Sequence, residues 1–489
     1  MLTSIKKMIL SFEKEGIIYC HWKSNEHLEA ALEGNTDLDV LFLPEQRSKL
    51  DITLNSCGLK RFRATPLMQY NAIEDYIGFD EETCKIWHLH THYRMTLGEK
   101  HLKGYTINPW GCFILQNRVI DTSGVYICKP EIEMVLLLVR NALKLRGRDC
   151  GRSVGEDNVK EYNWLIERCN LDIVSQFAEQ MIGRDAAHAI VAILNAAKLQ
   201  KKSQLKPLRH VLLRYLAPFT GFSRIGSCLM RWKRESFWLL GGLRRRCGIN
   251  NLKASRRVSP GGGLAVSFLG CDGAGKSTTL SYIKKEFGKK IDVATIYFGS
   301  GEGSSSFLRK PLKLVAKKMS GKGLRQDVEK LQAEKKKTLK SQSYSFGKLL
   351  WAITLAAEKK EKLHRMTKAR NNGLLVLTDR YPQTIICGMG DGPLLSRYLA
   401  GKGVFGRIAR WEFEIYKLAS ANPPDLVIKL TVPTEVAIQR KPEMTVEEIE
   451  RKKEIVRQID VAPISLEVDT SVPFEDSCRM IMKAIWSRL

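Results

Sequence analysis

A multidomain α/β protein is the fold class predicted here, and three observations predict it. The chain has 489 residues, more than a single hydrophobic core usually organises. Beyond residue 261, strand-like and helical patterns alternate, as in a parallel sheet with helices on both faces. Within that stretch, Gly270-Cys271-Asp272-Gly273-Ala274-Gly275-Lys276-Ser277 lies between apolar Leu264 to Leu269 and helix-favouring Ser277 to Phe287. It therefore reads as strand, glycine loop and helix.

Taken in order, residues 1–125 mix short elements: strand-like Ile17 to His21, helical Glu26 to Leu32, and strand-like Leu38 to Phe42 and Lys85 to Tyr93. This predicts an α+β domain. Residues 126–200 form a helical middle region, with apolar residues at helical spacing over Glu131 to Leu145 and again over Trp164 to Leu199. Residues 201–260 are a basic amphipathic connector ending in Pro260-Gly261-Gly262-Gly263, a linker signal. Residues 261–489 supply strands at Leu264 to Leu269, Val293 to Phe298, Leu374 to Thr378, Leu426 to Leu430 and Ser465 to Val468. The helices predicted between and after them include Gly347 to Arg370, Arg407 to Ser420, Val446 to Ile459 and Phe474 to Ser487.

Hydrophobic residues make up 44% of the chain, an ordinary globular share that argues against long disorder. The 79 basic and 52 acidic residues leave a net charge of +27. From Lys201 to Arg257 there are 15 Lys or Arg against one acid, Glu235, a field that favours an anionic partner. The 12 cysteines show no CxxC pair or repeated spacing and no secretory leader is evident, so a cytoplasmic location is expected. No uncharged apolar run reaches about 18 residues, the length a spanning helix needs.

The glycine loop is a phosphate cradle. Its glycines let the chain wrap a triphosphate while backbone N–H groups and the helix N-terminus point at it. Lys276 reaches the β- and γ-phosphates and Ser277 offers Mg²⁺ a hydroxyl. ATP and Mg²⁺ are thus the expected cofactors, with Gly270, Asp272, Gly273, Ala274, Gly275, Lys276, Ser277 and Thr278 as the binding set. Leu374 to Thr378 runs into Asp379-Arg380-Tyr381, placing a carboxylate and a guanidinium at the carboxyl end of a strand, where ligands bind in open parallel sheets. Arg440-Lys441 and Arg451-Lys452-Lys453 follow the next strand; charge there reads either as a cover over phosphates or as a solvated helix face.

On DGAGKST (Asp272 to Thr278), DRY (Asp379 to Tyr381), the Pro423 to Lys441 segment and VDTS (Val468 to Ser471), residues 261–489 resemble the thymidylate kinase-like branch of the nucleoside monophosphate kinases. The resemblance implies a P-loop phosphotransferase in which Lys276 holds the donor phosphates and Arg380 contacts the acceptor. Arg440 or Lys441 then supplies a lid cation, while Asp272 and Asp379 place acceptor or metal. The acceptor side departs from that pattern: Gly299 to Gly303 replaces an EPGG-type turn, Pro382 to Cys387 follows DRY, and Glu358-Lys359-Lys360 stands where an arginine is expected. Nucleotides, sugars and other small phosphate acceptors all stay open.

In the first region, Asp37 and Asp39 alternate onto one face of a strand, where two carboxylates can share metal ions. With Lys23-Ser24 upstream, this resembles a divergent polymerase-β-type nucleotidyltransferase, which implies metal binding by Asp37 and Asp39. A turn before a buried strand is the simpler alternative. His88, His90 and His92 share a strand face, as metal ligands or as hydrogen-bonding rings. In the connector, aromatics beside arginines suit an anionic membrane surface, a pair of helices packed between domains, or, less well, nucleic acid. A cytoplasmic enzyme, peripheral at the inner face of the membrane if the connector binds lipid, is expected, and a homodimer is compatible with it. The leading reading is ATP-dependent phosphoryl transfer to a small acceptor, with nucleotidyl transfer or ligand binding by the first region. The alternative is a P-loop ATPase or switch whose first domain is a degenerate binding module.

Overall fold

The computed structural model describes residues 1–146, 151–196, 199–247, 253–299 and 346–489. They divide into two compact units, Met1–Pro260 and Gly261–Leu489. The expected turn over 300–303 lies outside the described residues, as do 248–252 of the connector.

In the first unit, an eight-stranded mixed sheet has Ile86–His92 near its centre. On one side this strand pairs in parallel with Leu38–Phe42, which continues antiparallel to Tyr19–His21. On the other it pairs antiparallel with Ile73–Phe79, followed by Lys60–Ala64 and the short Arg257–Val258. The strands over 60–79 have no counterpart in the sequence reading, because Lys60–Ala64 carries charges at Lys60, Arg61 and Arg63 and Ile73–Phe79 carries Glu74 and Asp75 on buried positions. The centre of the unit's largest core is Pro130–Lys144, a helix begun by Pro130 with Glu131 and Glu133 in its first turn. Ile132, Val135, Leu136, Val139 and Leu143 on it are all fully buried, and each contributes roughly 1.5–3 kcal/mol by leaving water. The helices Leu171–Ile182, Arg184–Asn195 and Lys206–Tyr215 share this core with Cys20, Trp22 and Leu41 of the sheet side.

The second unit is a five-stranded, wholly parallel sheet flanked by helices. Numbering its strands by sequence, the spatial order is 2-3-1-4-5, with Leu264–Gly270 in the middle. That strand is buried from Leu264 to Leu269, which explains its apolar run, interrupted only by Ser267. The five expected strands are present at Leu264–Gly270, Val293–Tyr297, Leu375–Asp379, Leu426–Thr431 and Ser465–Asp469. Helices at Lys276–Gly288, Phe346–Asn371, Gly403–Ala421, Val446–Gln458 and Phe474–Arg488 fall where periodicity puts them, within a few residues. Val446–Gln458 starts on a capping box, Thr445 and Glu448 exchanging side-chain and backbone bonds. The central strand, the Asp379 strand and the Leu426 strand end on the same side, and the glycine loop opens there.

Candidate active site

Leu264–Gly270 delivers the loop and Lys276–Gly288 continues from it. Gly273 and Gly275 have φ of 82° and 78°, left-handed values that a side chain resists. A Cβ on Gly273 would also come 2.9 Å from the Ala437 carbonyl oxygen. Lys276 is buried, its Nζ donating to the carbonyls of Gly270 (2.9 Å) and Cys271 (2.7 Å). Burial, followed by the Arg380 charge, lowers its pKa. Ser277 and Thr278, in the first helical turn, are exposed.

Around this loop, Asp272 Oδ2 accepts from Lys452 Nζ at 2.6 Å, and Asp272 Oδ1 lies 3.7 Å from the Arg380 guanidinium. Burial would raise the Asp272 carboxyl, but Lys452, Lys276 and Arg380 together outweigh it and the pKa falls below the usual value. Asp379 differs: burial dominates and raises its pKa, and its buried Oδ1 has no hydrogen-bond partner among the described residues. An orphaned carboxylate oxygen beside a phosphate cradle fits an Mg²⁺ ligand, with the Ser277 hydroxyl as its companion. Arg440 spans from the Gly273 carbonyl (3.1 Å) to the Thr470 carbonyl (3.0 Å), bracing the loop. Lys441 Nζ stands 3.5 Å from Glu443.

Sequence reasoning missed the partners of Arg380. Arg380 reaches Asp391 (3.5 Å), and Lys359 Nζ, from the helix Phe346–Asn371, binds the Asp391 carbonyl (3.0 Å) and carboxylate (3.3 Å). Lys359 belongs to the Glu358-Lys359-Lys360 run that stands where an arginine was expected, and burial lowers its pKa. Arg380 and Asp391 both have left-handed backbones, φ 68° and 64°, a strained state for non-glycine residues that concentrates at functional sites. Buried Gln383 holds the intervening loop through the carbonyls of Ile386, Met389 and Gly390. The signal in sequence was weak: a lone Gln and a Gly-Asp-Gly turn.

In the first unit, strand register sets Asp39 and Asp75 on either side of His90. His90 Nδ1 and His92 Nε2 lie 3.1 and 3.2 Å from Asp39 Oδ1, and Lys23 Nζ 3.0 Å from Oδ2. Burial pushes the His92 pKa down to about 3. Asp37 faces His88 Nδ1 at 3.1 Å, and His88 Nε2 meets Asp75 at 2.8 Å. Asp75 was invisible in the sequence because only pairing brings it here. The turn carrying Lys23-Ser24 has its amides engaged: Ser24 N donates to Glu161 (3.3 Å) and Asn25 N to Glu133 (2.9 Å).

No protein-family model matches the chain. Two relatives from Escherichia coli K12 align over 226 residues: the ATP-binding protein YghR, 28% identical over 45% of this chain and 86% of its own, and the ATP-binding protein YghS, 26% identical over 46% and 93%. Similar solved structures include thymidylate kinase from Candida albicans (16% identity, 46% of this chain and 92% of that chain, TM-score 0.28). Deoxyadenosine kinase from M. mycoides is another (15%, 45% and 98%, TM-score 0.23). Among the described residues no helix is long and apolar enough to cross a membrane.

Proposed function

We propose that the Gly261–Leu489 unit transfers the γ-phosphoryl group of ATP to a small acceptor. The observation that carries this reading is the convergence of Asp272, Lys276, Asp379, Arg380 and Lys452 where the parallel strands end at the glycine loop. The E. coli relatives, named as ATP-binding proteins, support the donor half. Loop amides and Lys276 bind the donor phosphates, and Ser277 and Asp379 hold Mg²⁺. When bound, that ion neutralises charge on the transferring phosphoryl group. Arg380, steadied by Asp272 and Asp391, orients the acceptor and balances its charge, so positioning and electrostatics supply the catalysis. Acceptor-dependent ADP formation, measured across nucleoside monophosphates, nucleosides and sugars, tests the reading. ADP formed equally fast without any acceptor supports the ATPase alternative instead.

We also infer that the first unit touches an anionic membrane surface through the helix Arg224–Arg246. Its inner face is fixed by buried Arg234, which donates to the carbonyls of Leu102 and Gln69. Its outer face leaves Ile225, Leu229, Trp232, Leu239 and Leu243 exposed, from 56 to 76%. An apolar stripe on a strongly cationic segment suits lipid headgroups. Flotation with phosphatidylserine vesicles, lost on Trp232→Glu, checks it; equal flotation with neutral vesicles, or none, removes the proposal.

A further inference from the structure

We propose that the first unit binds a divalent transition-metal ion, of the Zn²⁺ or Mn²⁺ class, on Asp39, His90 and His92. One ligand atom from each residue lies within 4.8 Å of the other two. The contacts from Asp39 Oδ1 to His90 Nδ1 and His92 Nε2, 3.1 and 3.2 Å, match the roughly 3.0–3.4 Å between neighbouring ligands around an ion with bonds of about 2.0–2.2 Å.

The fold creates this grouping. Parallel register places Asp39 beside His90, and strand alternation puts His92 on the same face two residues on. Asp39 and His90 have polar neighbours behind them, as metal ligands usually do, while the far nitrogen of His92 has no hydrogen-bond partner among the described residues. Trp22 packs edge-on against His92, with ring centroids 5.3 Å apart. Asp75 Oδ1 lies 3.9 Å from the far nitrogen of His90 and is itself bound by Arg257 Nε at 2.8 Å. Lys23 holds the second oxygen of Asp39. Two imidazoles and one carboxylate favour Zn²⁺, Mn²⁺ or Fe²⁺ over Mg²⁺ or Ca²⁺, which prefer all-oxygen sets. Three protein ligands leave coordination positions open, and the site has an opening: the side chains of Asp39 and His90 are 13 and 18% exposed.

The alternative is a closed hydrogen-bond network in which Asp39 is ion-paired to Lys23 and holds no metal. Titration of the chelator-stripped full chain with Co²⁺ separates the two. In the absence of nucleotide, the metal site predicts one tightly held ion per chain, with visible d–d absorption bands that Zn²⁺ abolishes, and loss of both in Asp39→Asn and His92→Gln. Circular dichroism verifies that these variants fold. Lys23→Ala removes a neighbouring positive charge and tightens Co²⁺ binding about tenfold or more, an outcome that needs no disruption of the ligands. Zn²⁺ also raises the melting temperature of the parent protein and not that of Asp39→Asn. A stripped parent that takes up no Co²⁺, or one whose uptake and spectrum are unchanged in Asp39→Asn and His92→Gln, overturns the proposal. Neither result depends on the kinase reading of the second unit.

Discussion

The two units each gather acidic and basic side chains at a sheet, but by opposite means. In the second unit the cluster stands at the ends of parallel strands, and consecutive residues create it: one loop supplies Asp272 and Lys276, one strand end Asp379 and Arg380. In the first unit the cluster lies on the face of adjacent strands, and register creates it: Asp39, His90 and Asp75 meet across three strands. A site built from contiguous sequence uses backbone amides and tolerates a changing neighbourhood. One built from cross-strand side chains is only as good as the pairing that aligns it.

This contrast can be broken by mutation. The largest effect is expected in the loop: Lys276→Ala should lower the rate of ADP formation by about 10³-fold or more, and Arg380→Ala by about 10²-fold with a raised KM for the acceptor. Steady-state kinetics with ATP and acceptor varied separately reads both. Lys452→Ala tests whether a helix charge works through Asp272. If Lys452 positions that carboxylate, the variant loses roughly three- to tenfold in kcat/KM while its melting temperature stays near the parent's; an unchanged rate makes the pair a surface contact.

A smaller effect belongs to the first unit. Lys103 is held among Lys23 and Lys144 with its Nζ over the Tyr70 ring, and burial lowers its pKa from 10.5 to about 8. Between pH 8 and 10.5 the unfolded chain holds a proton that the folded chain has lost. Folded stability therefore rises with pH in that window, and the penalty is full below pH 8. Lys103→Met should gain roughly 1–2 kcal/mol at pH 7, shrinking toward pH 10, as followed by denaturant unfolding at each pH.

How much of this was legible in sequence follows the same divide. The parallel sheet, its helices and the loop were readable because apolar runs and GxxxxGKS are local signals, and Leu264–Gly270 is buried along almost its whole length. Asp391 and Lys359 were not, since nothing local says that a turn 32 residues further on meets a helical lysine. In the first unit the D-x-D and the histidine strand were visible, yet their partner Asp75 lay on a strand whose charges hid it. Arg257, some 180 residues further along the chain, closes the same network and shows why spacing alone is silent there. The helical segment carrying Lys452 illustrates the middle case: its charges read equally well as a solvated face, and only the 2.6 Å contact to Asp272 distinguishes one lysine from its neighbours.

Phosphoryl transfer to an acceptor is the activity proposed for the second unit. Incubating the full chain with γ-labelled ATP, Mg²⁺ and the panel of small acceptors, then separating the products, tests it most directly. Phosphoryl transfer predicts label on one class of acceptor, stoichiometric ADP, and neither in Lys276→Ala. Label recovered solely as inorganic phosphate, at a rate indifferent to every acceptor, would contradict it.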